Sequence, residues 1–201
     1  MEPPKRAATT ISTSKRWLLT AAALALAALA FAEVTVWRVA PQQAAALIGG
    51  PFKLEGPDGR IVTDADMKGR PFLVFFGYTH CPDICPTTLA EISDVLKRLP
   101  DKPINVLFIS FDPERDTPAS LKDYVASFDS RIIGLSGNRA AVEQAERAYR
   151  VYAKKVAAAN GDYSFDHSSI VYLMDAKGQF VEAFNLERTP DEAATELAGY
   201  L

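Results

Sequence analysis

The chain has 201 residues, 48% hydrophobic and 23% charged, which supports one packed domain plus an appendage and excludes a disordered chain. Its net charge of −3 is unevenly placed: residues 1–16 hold Lys5, Arg6, Lys15 and Arg16 against Glu2, and the remaining, acidic body argues against a nucleic-acid partner. Cys81 and Cys85 are the only cysteines, too few for a disulfide scaffold and close enough together to suggest chemistry.

Behind the basic head, residues 17–32 form an apolar run rich in Ala and Leu. Glu33 interrupts it, and Val34, Val36 and Trp37 extend it to Arg38. With Glu33 tolerated near its outer end, the run reaches the ~20 residues of a membrane-spanning helix. Trp17 and Trp37 stand where interfacial anchors stand. The expectation is a transmembrane anchor over residues 17–38, with residues 1–16 in the cytoplasm by the positive-inside rule. The body then faces the periplasm from the inner membrane. A cleaved signal peptide is the competing reading, because Ala30-Phe31-Ala32 before Glu33 fits the small-residue cleavage rule. Both readings export the body.

Residues 39–50 read as a linker and residues 51–201 as the folded domain. Residues 52–55 and 60–63 flank Gly56-Pro57-Asp58-Gly59, a hairpin signal. Residues 71–78 are apolar on both faces and predict a central parallel strand. Leu89, Ile92, Val95 and Leu96 share one face of a helix over residues 86–98. Residues 104–111 predict a second buried strand. Thr117 caps a helix with Pro118 in its first turn, and Leu121, Tyr124, Val125 and Phe128 give it an apolar face. A short strand at 132–135 precedes a helix capped by Asn138 and running to about residue 151, with Val142, Ala145, Ala148 and Tyr149 expected inward. Residues 143–155 read as a solvated helix face. Strands at 170–174 and 179–185, joined by Asp175-Ala176-Lys177-Gly178, lead to a last helix opened by Thr189-Pro190. The order is β–α–β followed by β–β–α around a mixed sheet. That is a thioredoxin-like α/β fold, with an added N-terminal hairpin and a helix-and-strand insertion.

The chemistry sits in Gly77-Tyr78-Thr79-His80-Cys81-Pro82-Asp83-Ile84-Cys85-Pro86, between a buried strand and a helix. Thiols at a helix N-terminus feel its partial positive charge, so a lowered pKa is expected. Three residues separate the cysteines, which puts both sulfurs on one helical face, at i and i+4. The pair can clamp a soft cation or close a disulfide. Two thiolates leave most metals undersupplied, and there are only two histidines. His80 adjoins Cys81, so its side chain is expected to point elsewhere. His167 lies in Phe165-Asp166-His167-Ser168-Ser169, just before a strand whose entry faces the active helix in a thioredoxin-like fold. Two thiolates and one imidazole form a soft three-coordinate set that selects cuprous copper and tolerates cupric copper. Zinc would prefer a fourth ligand, which Asp83 or Asp166 could supply. The stretch from Asp112 to Pro118 reads as a strand-exit turn with a helix cap, held by Arg115 ion pairing.

Three stretches resemble the signature of the SCO/SenC copper-delivery proteins. They are Phe76 to Pro86, Phe111-Asp112-Pro113-Glu114-Arg115-Asp116-Thr117-Pro118, and Asp166-His167-Ser168-Ser169 ahead of a strand, in the family's order. The resemblance spans roughly residues 50–201. It implies a thioredoxin fold, a membrane anchor and a copper site with Cys81, Cys85 and His167 as ligands. It also implies delivery of copper to the binuclear copper centre of cytochrome c oxidase subunit II, and thiol reduction of that subunit. A copper metallochaperone that is not an enzyme is therefore the first expectation. A thiol–disulfide oxidoreductase cycling Cys81 and Cys85 is the second. It is weakened by the extra residue between the cysteines and by the lack of a proline between Gly161 and Ile170, where thioredoxins carry one. A peroxidase ranks last, because no Arg occupies residues 71–97.

Overall fold

The computed structural model describes residues 24–26, 48–158 and 161–201. The chain divides into two compact units, Met1–Gln43 and Ala44–Leu201. In the first, residues 24–26 are helical; the expected head, and all else of the expected anchor, lie outside the described residues. Among the described residues no helix is long and apolar enough to cross a membrane.

The second unit opens with the expected hairpin, β1 (Lys53–Glu55) and β2 (Ile61–Thr63), paired antiparallel. A single 3-10 turn follows, and then β3 (Phe72–Gly77), all six residues of which are buried. Helix α1 (Ile84–Lys97) leads to β4 (Asn105–Ser110), which runs parallel to β3. Helix α2 (Pro118–Val125) leads to β5 (Ile132–Leu135), parallel to β4. Helix α3 (Arg139–Tyr149) precedes a second hairpin, β6 (Ala153–Ala157) and β7 (Tyr163–His167). Strands β8 (Val171–Met174) and β9 (Phe180–Ala183) and helix α4 (Pro190–Ala198) complete the unit. The main sheet has the order β5-β4-β3-β8-β9, with β8 antiparallel to both neighbours. This is the mixed α/β arrangement read from the chain.

The run Phe72-Leu73-Val74-Phe75-Phe76 is apolar throughout because both faces of β3 are covered. On one face the Phe76 ring meets Tyr149 of α3 and Tyr172 of β8. On the other, Phe75 meets Phe108 of β4, which stacks on Tyr124 of α2. The helices start where their caps predict. Thr117 Oγ1 accepts from the Ser120 amide with Pro118 beside it, and Asn138 Oδ1 accepts from the Ala141 amide. Thr189 and Glu192 form a reciprocal capping box at α4.

One stretch departs from the sequence reading. Residues 143–155 are not a single solvated helix face. Ala145 and Tyr149 are buried, as their helical spacing leads one to expect, but Arg150 adopts a left-handed conformation (φ 54°) that ends α3. The chain then enters β6. The sequence carries no Gly at this C-cap, so the helix pattern runs past its true end. Among the described residues the hairpin β6–β7 pairs only with itself, and its last pair is Ala153 with His167. His167 therefore closes a strand of its own, one turn of chain ahead of β8.

Candidate metal centre

The parallel pair β3–β4 presents its C-terminal ends to one edge of the sheet, and three segments meet there. The first is the loop from β3 into α1. Cys81 is not helical: α1 begins at Ile84 with Asp83 as its N-cap residue, so only Cys85 belongs to the helix. The expected i, i+4 helical face is thus a loop sulfur and a first-turn sulfur. They are still drawn together, because the Cys85 amide donates to Cys81 Sγ at 3.4 Å. A first-turn N–H has no partner within its own helix, and here the thiol sulfur satisfies it. Pro86 also sits in the first turn, where its missing N–H costs nothing.

Cys85 is fully buried and Cys81 is nearly so, at 8% exposure. Gly77 explains how Cys85 fits under the sheet edge. A Cβ on Gly77 would lie 2.8 Å from Cys85 Sγ and 2.5 Å from the Phe108 ring. The expected fall in thiol pKa does not occur at Cys85. Burial pushes its thiol well above the usual thiol range, and the nearby Cys81 thiol and Asp116 carboxylate push the same way. Desolvation outweighs the helix terminus, so in the metal-free protein this sulfur holds its proton. Both cysteines are free thiols.

The second segment is β7. Its residues alternate, with Tyr163, Phe165 and His167 turned inward and Ser164 and Asp166 outward. Phe165 and His167 pack against Tyr78 and Phe111: ring centroids lie 4.9 Å apart for Phe111–Phe165 and 5.0 Å for Phe111–His167. Tyr78 meets His167 edge-on at 5.9 Å. His167 Nδ1 lies 3.0 Å from the Ser168 carbonyl oxygen. A carbonyl only accepts, so Nδ1 carries the proton and Nε2 keeps its lone pair for a metal.

The result is a cluster. One ligand atom each from Cys81, Cys85 and His167 lie within 4.8 Å of one another. Cys81 and His167 border a cleft of about 350 Å³ between the 78–84 loop and the end of β7, with Cys85 buried behind them. Asp83 and Asp166 line this cleft, yet among the described residues no carboxylate joins the cluster, so the fourth ligand that zinc would want is not supplied. His80 stays apart, as read from the chain: its Nδ1 is 3.0 Å from Thr79 Oγ1 and 3.9 Å from the buried carboxylate of Asp116.

The third segment is the Asp112–Asp116 turn, whose reach across the site the sequence reading missed. Asp116 is fully buried and accepts from the Thr79 amide (3.0 Å), the Thr79 hydroxyl (2.6 Å) and the Ser110 hydroxyl (2.6 Å). It thereby fixes the loop two residues before Cys81. Arg115 pairs with Asp112 as expected, and it also reaches β7, at Asp162 and the Tyr163 carbonyl. The signal that could have revealed this was the period-2 alternation of residues 163–167, which marks a strand needing a partner face.

Comparisons with known proteins agree with this geometry. Residues 40–201 match the family model described as SCO1/SenC. The chain is similar to "Protein SCO1 homolog 2, mitochondrial" of Arabidopsis thaliana, 42% identical over 154 residues, covering 75% of this chain and 56% of that protein. The chain therefore spans little more than half of that relative's length. It is also similar to the structure of Bradyrhizobium japonicum ScoI with copper bound, at 56% identity and a TM-score of 0.73, covering 77% of this chain and 99% of that one. A third likeness is to BsSco, described as a member of the Sco family of cytochrome c oxidase assembly proteins with a disulfide switch. It is 26% identical with a TM-score of 0.63, covering 77% of this chain and 94% of that one. With the family model covering the whole folded unit and the two thiols and one imidazole gathered in it, the chain belongs to the SCO1/SenC family.

Proposed function

We infer that this protein captures one copper ion between Cys81 Sγ, Cys85 Sγ and His167 Nε2 and passes it to the binuclear copper centre of cytochrome c oxidase subunit II. The observation that carries this reading is the gathering of two sulfurs and one imidazole nitrogen within 4.8 Å. Thiolates favour cuprous copper, and the imidazole accommodates the cupric ion. Three protein ligands leave an approach open for a ligand from the receiving protein, so the ion can leave by exchange instead of by free dissociation. The cleft beside the cluster gives that approach room. Capture displaces the proton that burial keeps on Cys85, so loading releases protons and weakens as pH falls. The protein is on this reading a metal carrier and not an enzyme. Copper in the Bradyrhizobium relative's structure supports the choice of metal.

The cellular arrangement follows from the sequence. Residues 17–38 anchor the chain in the inner membrane, residues 1–16 stay in the cytoplasm, and residues 39–50 tether the domain of residues 51–201 in the periplasm.

A second reading has its own support. Cys81 and Cys85 are close enough to exchange a dithiol for a disulfide, and BsSco is described by such a switch. Oxidation would remove both sulfur ligands, so carrying copper and reducing a disulfide of the receiving subunit exclude one another at any moment. A peroxidase is disfavoured because Cys85 is fully buried and Cys81 nearly so.

The test is copper titration of the reduced protein in both oxidation states. One ion per chain is expected, with affinity lost on Cys81→Ala, Cys85→Ala or His167→Ala. A His167→Ala protein with full cuprous and cupric affinity would overturn the ligand set. Transfer is checked with the copper-free soluble domain of subunit II. Reductant-dependent activity on its disulfide that survives His167→Ala would favour the second reading.

A further inference from the structure

We propose that Arg115 is a positioning residue for the metal centre, latching the β6–β7 hairpin so that His167 stands over the two thiols; this rests on the ligand set inferred above. Among the described residues the hairpin pairs with no other strand. A lone two-stranded hairpin is marginal in water, so its placement must come from contacts with the rest of the domain. Its polar contacts are concentrated on one turn, with the Phe165 amide donating separately to the Tyr78 hydroxyl at 3.4 Å. The Arg115 side chain is only 16% exposed and sits over the Tyr163 ring, 3.7 Å from its centroid. Its Nε donates to Asp112 Oδ2, and Nη1 donates to Asp162 Oδ1 at 3.0 Å and to the Tyr163 carbonyl at 3.1 Å. The Tyr163 hydroxyl donates to the other Asp112 oxygen at 2.8 Å. Glu114 holds the companion strand, taking Lys155 Nζ of β6 at 2.9 Å and bracing itself on Arg139 of α3 at 2.9 Å. Both strands of the hairpin are therefore gripped from the same few residues.

Tyr163 and His167 lie on the same face of β7, four residues apart, so fixing Tyr163 sets the height and direction of the imidazole. The same turn steadies the loop that carries the opposing Cys81, through Asp116 and Thr79. Arginine suits the task and lysine does not. Only a planar fork can serve Asp112, Asp162 and a backbone carbonyl while stacking on a ring.

The consequence is a site whose copper affinity depends on a residue that touches no ligand. If loosening the latch lowers the fraction of molecules with the hairpin seated to about one tenth, apparent affinity falls about tenfold. The experiment is a double-mutant cycle on the reduced full-length protein, with cuprous ion titrated against a chromophoric chelator. The variants are Arg115→Lys, His167→Ala and their combination. Arg115→Lys is expected to weaken binding about tenfold and His167→Ala by more, with the combination no weaker than His167→Ala alone. In the metal-free protein, amide exchange over β7 should quicken in Arg115→Lys while β3 and β4 stay protected. Tyr163→Phe, which keeps the ring and loses one hydroxyl, should give the same pattern at smaller size and covers a poorly folding Arg115 variant. Unchanged affinity in Arg115→Lys and Tyr163→Phe, with His167→Ala impaired, would overturn the proposal. So would an equal Arg115→Lys loss in the His167→Ala background, which would mark a general structural role. A His167→Ala protein of wild-type affinity would instead sink the ligand set, and β7 exchange alone would then decide whether Arg115 holds the hairpin.

Discussion

Replacing Gly77 with alanine tests how the thiols are packed. Gly77 ends β3, and its carbonyl accepts from the Phe111 amide at 3.1 Å. An added Cβ would sit 2.5 Å from Phe108 Cε2, 3.1 Å from Phe108 Cζ and 2.8 Å from Cys85 Sγ. Ordinary carbon contacts are ~3.5–4.0 Å, so about 1 Å of relief is needed. Phe108 cannot give it: its ring is fully buried and stacked on Tyr124. The β3 backbone must shift to relieve the ring, and Cys85 Sγ must yield at the second contact, which disturbs its place in the cluster. Overpacking of this kind costs about 1–3 kcal/mol. Alanine recovers about 0.4–1 kcal/mol by stiffening the unfolded chain, since Gly77 does not hold a left-handed φ. A net loss of about 1–2 kcal/mol is expected, read as a lower urea midpoint at unchanged slope. Copper affinity should fall with it. Gly134→Ala is the control, because its Cβ would meet Leu121 Cβ at 2.9 Å, in a contact that includes no ligand. It should destabilise comparably and leave copper binding intact. A Gly77→Ala protein with wild-type stability and wild-type copper affinity would refute this account of the packing.

Two further outcomes are expected. Asp116→Ala removes the acceptor for the Thr79 amide, the Thr79 hydroxyl and the Ser110 hydroxyl. It should cost about 2–4 kcal/mol, and an unchanged urea midpoint would show that the buried carboxylate contributes nothing net. Glu114 is held low, at about 2, first by the Lys155 ammonium and then by the Arg139 guanidinium. In acid the unfolded chain binds the proton that native Glu114 refuses, so its contribution is full above about pH 4.5 and drains away as pH falls towards 2. The side chain is half exposed, which limits that contribution to about 1 kcal/mol. Glu114→Gln should flatten this part of the pH–stability profile, and an unaltered profile would refute the assignment.

The chain disclosed the sheet and the thiol loop because their signals are local. Five apolar residues in β3, capped helices after Thr117, Asn138 and Thr189, and a turn at Asp175 to Gly178 each announce themselves within a few positions. The β6–β7 hairpin did not, for two reasons. Arg150 ends α3 in a conformation usually given to glycine, and Lys154-Lys155-Val156-Ala157 continues with residues that a helix also accepts. The direction of the Cys85 shift was likewise beyond a local reading. Proximity to a helix terminus can be read from order along the chain, whereas full burial under Gly77 and Phe108 is a property of the assembled sheet. The Asp112–Asp116 turn was legible as a cap and an ion pair. Its grip on two other segments depends on contacts 37 to 51 residues away along the chain.

The three donors differ in what holds them, and that difference bears on how such a site can both bind and release an ion. Cys85 belongs to a helix packed on the central sheet and buries its sulfur completely. Cys81 lies in a loop pinned through Thr79 to Asp116. His167 sits at the end of a hairpin with no sheet behind it, seated by Tyr78, Phe111 and Arg115. The sulfurs are thus fixed with the core, and the imidazole is fixed by a smaller set of contacts at the surface. Binding strength in such a site is set by how firmly the hairpin is seated, and departure of the ion needs only the weakest-held donor to yield first. The thiols would then hold the ion until an incoming ligand takes the place the imidazole vacates.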